Sequence, residues 1–164
     1  MVVSIISGVA INPVDFDDEI DNPYLPLRPG SVWIYRGEEA LDIVRVTDKT
    51  KTILGVETTV VLDVAFSEGE VVEKTFDWFA QDEDGNVWYF GEDTKEFEDG
   101  RVVSTEGSWE AGVDGAKPGI VMQADPQVGQ NYAQEDAPGV AEDEATVLSL
   151  QVEEESPSAH SRVC

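Results

Sequence analysis

Histidine and cysteine are nearly missing from this chain of 164 residues. One of each is present, His160 and Cys164, and both are among the last five residues. Residues 1–155 therefore cannot supply a Ser-His-Asp triad, a Cys-His pair or a histidine-based zinc site. A single cysteine also excludes an intrachain disulfide, so cysteine usage leaves the redox compartment open.

Basic residues are also scarce. The chain has 10 Lys and Arg against 35 Asp and Glu, a formal net charge of −25. Phosphate backbones are bound by clusters of Lys and Arg, so the charge excludes DNA and RNA as partners. Repulsion on this scale opposes compaction and makes stability depend on salt. A solvated surface is a simpler explanation of the acids than a dedicated cation site.

Long apolar runs and helical periodicity are the remaining absences. No run approaches the ~20 residues that a membrane-spanning helix needs. The apolar start, MVVSIISGVAI, has no Lys or Arg before it, which makes it a poor secretory signal. It is compatible with a trimmed leader or with a first strand. The closest candidate for a helix is residues 139–150, but residues 145–152 are equally compatible with a last strand.

The chain does contain a succession of strand signals joined by tight turns. Strands are predicted at residues 31–35, 40–47, 53–66, 71–81, 87–91 and 101–105. A polar turn is predicted at 48–51, and Asp99-Gly100 is a strong hairpin signal. In 53–66 one face carries Val56, Thr58, Val60, Leu62, Val64 and Phe66, and the other carries Glu57, Thr59 and Asp63. This alternation predicts an antiparallel sheet with one face in water.

The sequence therefore predicts an all-β, mainly antiparallel meander that forms a half-open barrel or a sandwich. Residues 1–30, which carry four prolines from position 12 onward, are predicted to be an extended lead-in. Residues 31–152 form the β domain, and the polar residues 153–164 form a disordered tail. Within the domain, the glycine-rich residues 107–139 predict a long loop packed on the sheet.

Aromatic residues are the first candidate site. Trp78, Trp88, Tyr89 and Trp109 are the candidate ligand-binding residues. Aromatic side chains on a sheet are usually core, because each can bury ~150–250 Å². Alternation places Trp88 and Phe90 on one face and Tyr89 on the other, so Tyr89 is either exposed or covered by the long loop. An exposed aromatic beside carboxylates is typical of carbohydrate recognition.

Acidic residues in the segment 82–93 are the second candidate site. Asp82, Asp84 and Asn86 alternate as in a calcium loop, but Val87 and Asp93 stand where an EF-hand requires Gly and Glu. The plain interpretation is a polar turn between two aromatic strands. The alternative is a surface calcium site, with Asp82, Asp84, Glu92 and Asp93 as donors. No other cofactor is predicted.

Carboxylate pairs would also suit a glycosidase, which needs two acids on either side of the scissile bond. The acids closest to aromatic residues are Asp77, Glu92, Glu106 and Glu110. With 35 acids in the chain, such pairs arise by chance. No residue is therefore assigned as catalytic.

Four long segments resemble a group of bacterial exported or envelope-attached β-rich proteins to which no activity is assigned. They are NPYLPLRPGSVWIYRG, TKTILGVETTVV, TFDWFAQDEDGNVWYFGEDTKE and GSWEAGVDGAKPGIVM. The resemblance covers most of residues 20–150 and implies a secreted or cell-envelope location. Some members look like parts of larger secreted polypeptides with calcium-binding repeats. Members continue past ATVLSL with further strands, where this chain has QVEEESPSAHSRVC. Either the fold is completed differently in this chain, or closing strands are missing and leave a sheet edge and part of an apolar face open.

Three functions remain open at this point. The first is a non-enzymatic exported or envelope-associated domain that binds a small molecule, a glycan or a protein through a concave sheet face. The second is a carboxylate-based hydrolase that acts on saccharides. The third is an accessory module stabilised by calcium in a larger secreted assembly.

Overall fold

A computed structural model describes residues 4–6 and 9–151, and it has an antiparallel sheet curled into a half-barrel. The predicted all-β class is confirmed. Within the described residues the helical content is one 3-10 turn, Pro13–Asp15, and no helix is long and apolar enough to cross a membrane. The predicted tail at 153–164 lies outside the described residues.

The strands are numbered in chain order. A first hairpin consists of β1 (Ser4–Ile6) and β2 (Val9–Ile11). The long strands are β3 (Val32–Arg36), β4 (Ala40–Ile53), β5 (Val56–Ser67), β6 (Glu70–Gln81) and β7 (Val87–Glu98). Shorter strands follow: β8 (Arg101–Ser104), β9 (Trp109–Glu110), β10 (Lys117–Met122), β11 (Asn131–Ala133), β12 (Glu135–Asp136) and β13 (Glu144–Thr146).

The main sheet has nine strands in the order β12-β10-β7-β6-β5-β4-β3, and β8 and β9 also pair with β7. All the pairings are antiparallel, so β3 to β7 form the predicted meander. Along its other side β7 pairs with β10, β9 and β8 in turn. The residues predicted as a loop, 107–139, thus contain four short strands, β9 to β12. Three of these join the main sheet, and β11 pairs with β13 instead.

The turn predicted at 48–51 is wrong. β4 continues through these residues to Ile53, with a register shift between Val46 and Thr50. A hydrogen bond of 2.7 Å from Thr47 Oγ1 to the Val60 carbonyl holds the strand to β5 at the shift. The chain reverses instead at Leu54-Gly55, where both residues have positive φ values of 51° and 87°. Pairing along two long strands outweighs the polar turn signal.

Two glycines let backbone segments approach closely. Gly91 has a φ of 128°, and a Cβ there would overlap the Trp109 carbonyl oxygen. A Cβ on Gly119 would overlap the Gln134 carbonyl oxygen. β9 can therefore lie against β7, and the segment before β12 against β10, only because neither position carries a side chain.

The proline-rich lead-in packs on one end of the sheet. Ile20 and Leu27 are buried with Val46, Val61 and Val87 in one apolar cluster. Asn22 is buried beside them, and its side-chain amide donates to the carbonyls of Gly85 and Gln123. A second cluster is larger and contains Ile11, Ile53, Val56, Val60, Trp78, Ala80, Tyr89, Phe90, Trp109, Ala111, Ala116 and Ala137.

Candidate functional site

The two faces of the sheet from β3 to β7 carry opposite charges. Cross-strand pairing places residues directly opposite one another on the same face. The acidic face is defined by Asp42, Asp63, Glu73, Asp77, Glu92 and Glu96. The basic face is defined by Arg36, Arg45, Lys51, Lys74 and Lys95, with Asp93 bonded to Lys95. Five of the ten bases of this chain therefore lie on one face.

The phenol of Tyr89 lies at the centre of the acidic face. Its hydroxyl is 2.6 Å from Asp77 Oδ1 and 3.0 Å from Glu92 Oε2. A bulge at Phe90-Gly91 allows this, because Asp77 pairs with Glu92 and Phe79 pairs with Tyr89. The ring stacks on Phe79, with centroids 4.7 Å apart, and it meets Trp109 edge-on at 5.4 Å.

The Tyr89 hydroxyl has fewer hydrogens to donate than it has acceptors within reach. A phenol has one hydrogen to donate, and two carboxylate oxygens lie within hydrogen-bond distance of it. The second contact is a hydrogen bond only if one carboxyl group is protonated. Burial raises the pKa of Asp77 to about 7, the nearby charge of Glu92 adds to this, and the bond from Tyr89 lowers it. Burial also raises the pKa of Glu92. The geometry thus favours one shared extra proton near neutral pH.

A second proton-sharing pair lies two strands away. Asp42 Oδ1 is buried without a hydrogen-bond donor. Burial, a hydrogen bond with Asp42 and the charge of Asp42 together raise the pKa of Asp63 to about 8. A protonated Asp63 is therefore the donor that Asp42 requires.

The segment after β10 brings further acids against this face. Burial raises the pKa of Glu135 in β12 to about 7, and the charges of Glu92, Asp143 and Asp77 contribute. The carboxyl groups of the sheet and of this segment therefore lie close enough to interact. Their protonation state affects how firmly the segment packs on the sheet.

The sequence-predicted ligand-binding aromatics are mostly core. Trp78, Tyr89 and Trp109 are each 7% exposed and belong to one apolar cluster. Trp88 is half-buried, and its indole Nε1 donates to Asp82 Oδ2 at 2.7 Å. Trp109 borders a pocket of about 130 Å³ between β9 and residues 137–140, and Trp88 borders another pocket beside Phe16 and Asp82. These side chains come together, but in the interior.

The predicted calcium donors are not brought together. Asp82 bonds Asn86 and Trp88 within the turn after β6. Glu92 lies opposite Asp77. Asp77 is five residues before Asp82, so Glu92 and Asp82 are separated by about 16 Å along the strand. Asp93 lies on the basic face. No group of three or more metal-binding side chains occurs within the described residues.

The predicted hydrolase carboxylates are brought together only in part. The oxygens of Asp77 and Glu92 that contact Tyr89 are at most about 5–6 Å apart, because both bond one atom, and this resembles a retaining glycosidase. However, the Tyr89 hydroxyl occupies the space where a sugar would have to lie. Glu110 forms an ion pair of 2.7 Å with Lys51, and Glu106 is exposed in a turn.

The basic face carries an apolar patch that sequence reasoning missed. Its half-buried members belong to neither apolar cluster and are Leu41, Ile43, Leu62, Val64 and Phe66. At its edge, Val32 and Ile34 in β3 are 49% and 54% exposed. Among the described residues, Arg36, Arg45 and Lys74 form no ion pair. The sequence does contain a signal for this patch. Arg36 alternates with Ile34 and Val32, so the three share a face, and Lys74 shares a face with Phe76 for the same reason.

Comparison of the chain with protein-family models, with curated proteins and with solved structures finds no match. The resemblance stated for residues 20–150 therefore stays a prediction. The function rests on the geometry of the two sheet faces.

Proposed function

We propose that this domain is a non-enzymatic binding module that docks a protein partner on the basic face. The observation that carries the proposal is the apolar patch of the basic face, whose side chains are only half-buried and join neither core cluster. Protein interfaces combine such a patch with a polar surround, and Arg is enriched in them. Arg36 and Arg45 supply that surround. An exported or envelope location is part of the proposal and rests on the sequence resemblance.

This proposal places binding away from Tyr89 on the acidic face and from Trp109, which meets it edge-on. Each of these two residues is only 7% exposed, so a ligand could reach little of either ring. The patch around Val64 and Ile43 is more exposed. Accessibility therefore favours the basic face.

A saccharide hydrolase is the second candidate, favoured by the Asp77–Glu92 separation. Catalysis would require Tyr89 to leave the space between the two carboxyl groups. Hydrolysis of p-nitrophenyl glycosides by the native chain, abolished by Asp77→Asn, would favour the hydrolase over the binding module.

The basic face can be tested with the dye bis-ANS, which is apolar and anionic and so matches both features of the patch. Val64→Glu introduces a charge at the centre of the patch, directly opposite Lys74, which keeps the substitution tolerable. We expect dye affinity to fall about tenfold. The control is Val128→Glu, a change at an exposed residue outside the sheet. Equal dye binding by the two variants, or none by the native chain, would contradict the proposal.

A further inference from the structure

Among the described residues, β3 is a free edge of the sheet. It is the last strand in the order, and its five residues pair with β4 from Val32↔Arg45 to Arg36↔Leu41 without a register shift. Proteins usually protect such edges with prolines, inward charges or bulges. Residues 32–35 contain none of these, and Val32, Ile34 and Tyr35 are exposed. No strand within residues 4–6 and 9–151 pairs with the outer side of β3, so this side is available to another extended segment.

Two positive charges lie next to this edge on the basic face, while the nearest acids are Asp42 on the other face and the glutamates of the turn after β3. Residues 31–36 contain no acid, although the chain has 35. On the basic face, Arg36 lies two residues after Ile34, and Arg45 lies directly opposite Val32. Neither arginine forms an ion pair with any described residue. An incoming strand thus meets apolar side chains flanked by two unpaired guanidinium groups.

We infer that the partner docks by adding an extended, acidic segment antiparallel to β3. An apolar side chain would lie opposite Ile34, and a carboxylate would lie opposite Arg36. Main-chain hydrogen bonds supply affinity in this mode of recognition, and alternate side chains supply specificity. Opposite charges across a strand pair are favourable. The inference rests on the proposed function and names the chemistry of the partner.

A second copy of the chain suits this edge less well. In an antiparallel pair centred on Ile34, each Arg36 would lie opposite Val32, so neither guanidinium would gain a carboxylate. The unpaired arginines therefore favour a partner that supplies acids at this edge.

The test uses a capped, fluorescently labelled peptide with the core Glu-Thr-Val-Thr-Glu, and a matched peptide with Lys in place of both Glu. We expect the native chain to bind the acidic peptide at least tenfold more tightly than the basic one in fluorescence anisotropy. Arg36→Glu is expected to reverse this preference, and Ile34→Lys to weaken binding of the acidic peptide. Arg101→Glu, a charge reversal on β8, is the control and should leave binding unchanged.

The outcomes separate this inference from the proposed function. Loss of dye binding in Val64→Glu without peptide binding by the native chain would overturn strand addition and keep the basic face as the docking surface. Failure of both would overturn both. Peptide binding that is insensitive to Arg36→Glu would also overturn the inference. So would a dimer in sedimentation equilibrium that Ile34→Lys dissociates, because a second copy would then occupy the edge.

Discussion

The Tyr89 hydroxyl is the most constrained polar group of the acidic face. It is buried, and burial together with the charges of Asp77 and Glu92 raises its pKa, so the phenol stays protonated. One hydrogen serves two carboxyl groups, and a further proton must be shared among the three side chains. The Tyr89 oxygen therefore links the two carboxyl groups.

Replacing that oxygen gives a first prediction. Tyr89→Phe keeps the stacking on Phe79 but leaves Asp77 and Glu92 without the phenol. We expect the free energy of unfolding to fall by about 1–3 kcal/mol, with a larger loss at pH 8 than at pH 5, because both carboxyls tend to ionise at the higher pH. Urea unfolding at the two pH values measures this. Tyr24→Phe, at an exposed tyrosine, is the control, and equal losses in the two variants would contradict the prediction.

A second prediction concerns pH. Burial raises the pKa of Asp63 to about 8 and those of Asp77 and Glu135 to about 7, all above their unfolded values near 4. The folded state therefore holds protons that the unfolded chain releases. The stability from these groups is complete below about pH 4 and is lost as pH rises through 7 to 8. Chemical unfolding should show a falling free energy over this range.

Asp63→Asn isolates one of these groups. An amide stays neutral at every pH, so the loss of stability between pH 5.5 and 8.5 should shrink. We expect a reduction of about 1–2 kcal/mol, because Asp63 is half-exposed and solvent screens its charge. Asp18→Asn, at an exposed aspartate, removes the same formal charge and is the control. An unchanged slope in Asp63→Asn would show that Asp63 does not hold a proton in the folded state.

At the scale of the strands, close approach of backbones at glycine gives a third prediction. Gly91→Ala introduces both strain at positive φ and an overlap with the Trp109 carbonyl. We expect a loss of about 3–5 kcal/mol in the free energy of unfolding. Gly115 also has a positive φ, 87°, but open space surrounds it, so Gly115→Ala should cost only about 1–2 kcal/mol. Similar values for the two variants would mean that β9 moves away from β7 without loss.

Alternation along a strand predicts which residues share a face better than it predicts whether that face is buried. In β5 the face with Leu62 and Val64 is identified correctly from the sequence. Asp63 does lie on the face opposite Leu62 and Val64, but all three residues are half-buried, so burial does not separate the two faces here. β10 is missed because Pro118 and Gly119 are typical of loops. Pro118 is tolerated because β10 pairs there with the short edge strand β12.

The candidate sites depend on register, which the sequence does not display. Asp77, Tyr89 and Glu92 can each be named from the chain, but the bulge at Phe90-Gly91 decides that they meet. The basic face likewise requires Ile34, Ile43 and Val64 to align across three strands. A shift of one residue would send each side chain to the other face.

For the whole molecule, the net charge of −25 predicts a dependence on salt. Sodium chloride should raise the melting temperature by screening repulsion among the acids. Because Asp82 and Glu92 lie far apart, calcium should raise it no more than sodium chloride of equal ionic strength. Differential scanning calorimetry measures both. A calcium-specific increase that Asp84→Ala removes would instead support a calcium-stabilised module.

The meander also has a consequence for synthesis on the ribosome. Each strand from β4 to β7 pairs with the strand translated immediately before it, so hairpins can form one after another as the nascent chain emerges. Trp109 and Glu135 reach the acidic face only later. Until then, Tyr89 and its two carboxylates are open to water, and the early sheet tolerates their ionisation.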